Sequence, residues 1–308
     1  MRQVEALITN LRHALRGKPE AVELAVVALL SGGHLLIEDV PGVGKTTLAR
    51  ALARSVAGSF RRIQFTSDLL PSDLLGVTVF DTAAAEFRFK PGPVFANIVL
   101  ADEINRALPK TQSALLEAMN EAQVTVDSAT HPLPRPFFVI ATQNPFGFHG
   151  TYPLPESQLD RFALRLRIGY PPGESERALV RGAADQTPEA SLSPVIECRQ
   201  VVELQRRVLE IQIAEPLIDY ILALADATRI HPRLELGLSP RGAIVLRRAA
   251  QSRALLRGRG YVTPDDVRNL AAAVIAHRVV ARGAIDGGER GEAERAIGDI
   301  LAQVPVPR

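Results

Sequence analysis

A tight glycine loop between an apolar strand and a helix constrains this chain more than any other feature. Residues 39–47 read Asp-Val-Pro-Gly-Val-Gly-Lys-Thr-Thr; Leu35-Leu36-Ile37 precede them, and a helical pattern from Leu48 to Val56 follows. Strand, glycine turn and helix in this order are the setting of a phosphate-binding loop. Gly42 and Gly44 let the backbone curl so that several N–H groups face one anion, and the helix starting near Lys45 adds its positive dipole end. Lys45 can reach the β- and γ-phosphates of a nucleotide. Thr46 offers a hydroxyl where Mg²⁺ would sit, and Val43 and Thr47 complete the candidate cradle. The strict pattern asks for glycine at position 39, where this chain has Asp39. A carboxylate there must turn away from the phosphates or find a partner. Taken alone, the loop also reads as a plain glycine turn between strand and helix.

Two further strands end in polar residues. Ile98-Val99-Leu100-Ala101 runs into Asp102-Glu103, and acids at the C-terminal end of a strand lie where parallel α/β sheets place their ligands. Asp102 is the candidate metal residue, acting through water, and Glu103 the candidate base for an attacking water. The strand Phe137 to Thr142 ends at Gln143-Asn144. Asn144 precedes a proline and reads singly as a turn residue; beside the loop and the acid pair it becomes a candidate for orienting that water.

These elements resemble the AAA+ ATPases, and within them the MoxR family. The resemblance rests on Asp39 to Thr47, Ala101 to Ala107, Lys110 to Met119 and Ala141 to Pro145. It continues through Gly150 to Glu156, Gln158 to Phe162 and Ser239-Pro240-Arg241, and spans the chain from about Gly17 to Arg278. It implies an α/β P-loop core with a parallel sheet flanked by helices and carrying hairpin insertions, followed by a helical lid. It also implies ATP and Mg²⁺ as ligands, a ring of six subunits with ATP at each interface, and remodelling of protein partners, among them proteins with a von Willebrand factor type A domain. On the same basis Arg161 is the arginine finger toward a neighbouring subunit's ATP. Arg165 is the second candidate, and a surface pair with Asp160 or Glu156 is the plain alternative for Arg161. Arg241, in the first turn of a lid helix, is expected to sense the γ-phosphate of its own subunit. The Gly17-Lys18 step is expected near the adenine. A metal-chelatase motor and a DNA-dependent motor or transcription activator are the neighbouring alternatives.

Composition narrows the class. At 308 residues, 46% hydrophobic, the chain has room for two domains, and no stretch approaches the ~18 continuous apolar residues of a membrane span. The N-terminus lacks a signal peptide's apolar core, and the single Cys198 cannot form an internal disulfide, so the cytoplasm is the expected compartment. A net charge of +2 argues against a dedicated nucleic-acid binder. The cluster Arg247, Arg248, Arg253, Arg257 and Arg259 reads as a solvated or subunit-facing helix surface, with a nucleic-acid stripe as the alternative. No histidine or cysteine spacing suits zinc.

The expected organisation is a nucleotide-binding domain over residues 1–172 and a lid over 173–308, divided at Tyr170-Pro171-Pro172-Gly173. Helices are expected at Val4 to Leu15, Ala21 to Leu30 and 45–57, and a strand at Arg62 to Phe65. Leu75 to Phe80 and Glu86 to Phe89 alternate as a hairpin set into a helix. A second excursion covers Asp127 to Pro136. Loops this long inside a compact domain are usually functional, and the hairpins of the resembled ATPases face a central pore. Ser239-Pro240 and Thr263-Pro264-Asp265-Asp266 mark helix starts in an otherwise helical lid. Beyond Arg282 the chain, with Gly287-Gly288, reads as loosely ordered apart from a helix near Glu292 to Gln303.

Overall fold

The computed structural model describes residues 2–144, 151–182, 188–283 and 289–307. Helices α1 (Arg2–Ala14) and α2 (Pro19–Leu30) lead into β1 (Leu35–Glu38), the glycine loop and α3 (Lys45–Ser55). Then come β2 (Phe60–Gln64), α4 (Pro71–Leu75), the hairpin β3 (Gly76–Asp81) and β4 (Glu86–Pro91), β5 (Ile98–Asp102) and α5 (Pro109–Glu121). A second hairpin, β6 (Gln123–Val126) and β7 (Ala129–Pro132), precedes β8 (Phe138–Gln143), α6 (Glu156–Leu159) and β9 (Leu164–Leu166). The rest is mostly helical: α7 (Gly173–Gly182), α8 (Cys198–Glu210), α9 (Glu215–Ile230), β10 (Leu234–Leu236), α10 (Pro240–Leu256), α11 (Pro264–Ile275), β11 (Val280–Ala281) and α12 (Glu289–Gln303). Pro145, Gly150 and Gly287-Gly288, named above, lie outside the described residues.

Five strands form a parallel sheet in the order β2-β5-β8-β1-β9. Its central strands read as continuous apolar runs because both faces are covered. Leu35, Ile37, Ile98, Leu100, Phe138 and Ile140 face a core shared with α1, α2 and α3. Their alternates Leu36, Val99, Ala101, Val139 and Ala141 face α5. Every crossover delivers the chain to the same edge, so the loops after β1, β5 and β8 converge.

The first hairpin differs from the expectation: it follows the short α4, and no helix resumes between β4 and β5. The second excursion is also a hairpin, turning at Asp127 and Ser128, both with positive φ as a two-residue primed turn requires. The mostly helical second part carries the antiparallel ribbon β10–β11, whose strands of three and two residues are too short to announce themselves by periodicity. No described helix is long and apolar enough to cross a membrane.

Candidate active site

The glycine loop closes as its residue types require. Gly42 and Gly44 adopt φ of 84° and 99°, a region that L side chains rarely occupy, and Gly44 caps α3. A Cβ at Gly44 would meet the Leu15 side chain at 2.8 Å, so the segment before α2 lies against the loop. Nearby, Lys18 Nζ donates to the Tyr170 carbonyl at 2.5 Å, tying the Gly17-Lys18 step to the joint before α7.

Asp39 turns its carboxylate away from the loop. Oδ2 accepts the N–H groups of Ile168 and Gly169 at 2.7 and 2.6 Å, and Oδ1 accepts that of Val40 at 2.8 Å. Three amide donors replace the solvation lost on burial, which is the condition for a buried carboxylate. The aspartate thus pins the chain leaving β9 to the start of the loop, and only its backbone carbonyl faces Lys45, whose Nζ donates to it at 2.7 Å.

A cavity of about 510 Å³ opens beside the loop, lined by Gly42, Gly44, Lys45, Thr46, Thr47, Arg62, Gln64, Asp102 and Glu103. Burial lowers the pKa of Lys45, while Asp102, Asp39 and Glu103 act in the opposite sense. Lys45 and Arg62 facing two acids form a site whose charges can exchange partners with an anionic ligand and its metal. A Thr46 hydroxyl and an Asp102 carboxylate on one cavity wall are hard oxygen donors and fit Mg²⁺, which keeps most of its own waters.

The two acids are held differently. Asp102 Oδ1 accepts the Thr142 hydroxyl at 2.7 Å, and Oδ2 accepts Arg62 Nη2 at 2.6 Å and Nε at 3.1 Å. Thr142 in turn accepts the Glu103 N–H at 2.9 Å, linking β8 to the acid pair. Glu103 has φ 57°, an uncommon conformation outside glycine that directs its side chain apart from that of Asp102. Its Oε2 accepts Arg106 Nε at 2.9 Å and Gln64 Nε2 at 3.2 Å. Asn144 follows β8, the strand lying between β5 and β1, at the edge where the loops gather.

Arg62, Gln64, Arg106 and Thr142 escape the sequence reading. Gln64 pairs in register with Asp102, so β2 ends beside the acid strand. A polar residue closing a strand next to Asp102 was the available signal, but strand order is not written in the local pattern.

The structure does not bring Arg161 or Arg241 into this cavity. Arg161 Nη1 donates to the Leu116 carbonyl at 3.3 Å, and its Nε is buried without a partner. Arg241 Nη2 donates to Asn120 Oδ1 at 3.0 Å, and its Nε lies 4.0 Å from Asp160. Leu116 and Asn120 belong to the last turns of α5. That end lies by the start of β1, where His34 donates to the Met119 carbonyl. Both arginines therefore occupy the opposite end of the sheet from the phosphate loop of their own chain. Arg165, the second finger candidate, lies in β9. It is 6% exposed and bound to Glu38 at 3.0 Å and Glu294 at 2.7 Å.

Arg278, at the end of α11, gathers the finger segment. It bonds Asp160 Oδ1 at 2.7 Å, the Ala163 carbonyl at 3.1 Å and the Phe162 carbonyl. Burial lowers its pKa to about 10 against the opposing pull of Asp160, leaving it charged at neutral pH. Three arginines of the cluster on and just after α10 are engaged within the chain. Arg253 and Arg257 pair with Glu23 of α2 at 3.0 and 2.8 Å, and Arg259 pairs with Asp266 at 2.7 Å.

Comparison with known proteins matches the chain's sequence and fold. Residues 34–164 match the model of the ATPase family associated with various cellular activities (AAA), and residues 226–297 match that of an AAA lid domain. An uncharacterised Bacillus subtilis protein, YeaC, is 48% identical over 97% of this chain and 93% of its own. The chaperone MoxR1 of Mycobacterium tuberculosis is 41% identical over 90% of this chain and 75% of its own. Protein MoxR of Methylorubrum extorquens is 31% identical over 88% of this chain and 85% of its own. A crystal structure from Cytophaga hutchinsonii, described as a candidate ATPase, superposes with a TM-score of 0.90 at 35% identity, covering 100% of this chain and 96% of that one.

Proposed function

The chain belongs to the MoxR family of AAA+ ATPases, and on that premise we propose that it hydrolyses ATP at the cavity beside residues 42–47 and spends the energy on remodelling protein partners. The observation that carries the reading is the meeting of Lys45 and Thr46, which follow β1, with Asp102 and Glu103, at the end of β5, around one cavity. The N–H groups of Gly42, Val43 and Gly44 and the start of α3 cradle the phosphates, with Lys45 on the β- and γ-phosphates and Thr47 beside them. Thr46 and Asp102 hold Mg²⁺, which when bound neutralises charge on the phosphate oxygens. Glu103 accepts the proton of the attacking water, and Asn144 orients that water.

Arg161 and Arg241 serve a neighbouring subunit's nucleotide rather than their own. Both lie at the opposite end of the sheet from their own phosphate loop, and Arg241 lies beside Asp160, the residue before Arg161. A guanidinium fork matches phosphoryl oxygens as charge develops on them, and such a supplied arginine is worth ~10³–10⁵ in rate. This requires a homo-oligomeric ring, taken here as six subunits. The clients are proteins, with von Willebrand factor type A domains as the named class, and the compartment is the cytoplasm. The named relative that is a chaperone, and α10 arginines engaged within the chain, favour this reading over a nucleic-acid motor.

Lys45→Ala should lose ATP binding, and Glu103→Gln should bind ATP but stop turnover. Equilibrium binding and phosphate release measured on both variants check this. Normal hydrolysis by both would overturn the site assignment.

A further inference from the structure

Asp102 is asked to serve two cations. Its Oδ1 is committed to the Thr142 hydroxyl, and its Oδ2 accepts two donors of a single guanidinium, Arg62 Nη2 at 2.6 Å and Nε at 3.1 Å. Arg62 lies on β2 in register with Leu100, two residues before Gln64, so both side chains point to one face of the sheet and line the same cavity as Lys45 and Thr46. The Arg62 side chain is 46% exposed while that of Asp102 is 13% exposed. The guanidinium therefore has open space to move into, and the carboxylate does not. A water-clad divalent cation needs the same Oδ2 lone pairs, and two cations at hydrogen-bond range of one carboxylate oxygen repel each other strongly.

Resting on the ATPase reading above, we propose that Arg62 competes with the divalent cation for Asp102, so that loading of the metal–nucleotide complex requires Arg62 to swing off Oδ2, and Arg62 thereby sets the metal concentration at which the site fills. Arg62 acts as a positioning and gating residue, not a catalytic one. Its departure also removes the donor that Nη2 gives Gln64 Oε1 at 3.2 Å.

The test is ADP binding measured by calorimetry across a titration of free Mg²⁺, which involves no turnover. Arg62→Gln should reach full ADP affinity at a free Mg²⁺ concentration about twofold to fivefold lower than the unmodified protein, the range set by one half-exposed ion pair. Arg62→Lys should fall between the two, because an ammonium keeps the charge but not the fork. Arg61→Gln removes the same charge from the opposite face of β2 and should leave the midpoint unchanged. An unchanged or raised midpoint in Arg62→Gln, or an equal shift in Arg61→Gln, overturns the competition. Melting curves establish that the variants fold, and if Arg62→Gln does not, an unshifted Arg62→Lys midpoint overturns it alone. Failure of the unmodified protein to bind ADP at any Mg²⁺ concentration would instead overturn the nucleotide reading, separating the two failures.

Discussion

The buried imidazole of His34 joins the strand edge to α5. Its Nδ1 accepts the Val139 N–H at 3.0 Å, which places the proton on Nε2, and that nitrogen donates to the Met119 carbonyl at 3.0 Å. Burial lowers its pKa to about 4 against the lesser pull of the Met119 carbonyl, and His277 is lowered in the same direction, by burial first and then by Arg278. The sign follows: between pH 6.5 and about 4 the unfolded chain binds a proton that folded His34 refuses, so its contribution is full above pH 6.5 and is lost as pH falls toward 4. From pH 7 to pH 5, His34 alone should cost about 2 kcal/mol of unfolding free energy. Urea titrations at the two pH values check this against His34→Leu. That variant should be less stable at pH 7, having orphaned the Val139 N–H and Met119 carbonyl, yet fall less steeply with acid; an equal slope would contradict the assignment. At this scale the sequence was readable for residues whose chemistry is local. The loop and the acid pair declared themselves by type and spacing. Asp39 did so only in part: the need to turn away was visible, but its amide partners at Ile168 and Gly169 are distant in sequence.

Among the elements, the hairpin β3–β4 carries two aromatic residues with little to pack against. Phe80 and Phe87 face each other across it with ring centroids 5.2 Å apart, and they are 52% and 73% exposed. Neither supports the nucleotide cavity. The hairpin is expected to meet the client, so Phe80→Ser with Phe87→Ser should change folding stability by no more than ~1 kcal/mol. Basal turnover should persist while stimulation by a partner is lost. ATPase assays with and without partner check this, and loss of basal turnover in a variant of normal melting temperature would count against it. The alternation of Leu75 to Phe80 and Glu86 to Phe89 made this hairpin legible, as continuous apolar runs did for the central strands. The ribbon β10–β11 was not legible, because its pairing depends on contacts that a few residues cannot encode.

For the whole molecule, the lid is fastened to the core by charges placed at its two ends. Glu23 meets Arg253 and Arg257; Arg165 joins Glu38, next to the phosphate loop, to Glu294 of α12; and Arg278 holds Asp160 beside Arg161. The buried one, Arg165–Glu38, adds little net stability but penalises alternative arrangements heavily, because breaking it strands a charge. This long-range packing sets where Arg241 lies. Ser239 caps its helix by accepting the Gly242 N–H at 3.1 Å, as the sequence indicated, but which nucleotide the helix faces depends on how the lid docks. With Arg161 and Arg241 at one end of the sheet and the phosphate loop at the other, the proposed function draws each complete site from two subunits. The most direct measurement is ATP turnover on mixing Arg161→Ala with Glu103→Gln under conditions of proven subunit exchange. Each variant alone should bind ATP and hydrolyse it poorly, and the mixture should recover turnover at interfaces pairing an intact Glu103 with a neighbour's intact Arg161. No recovery on mixing, or full activity in Arg161→Ala alone, would contradict a site completed by the neighbouring subunit.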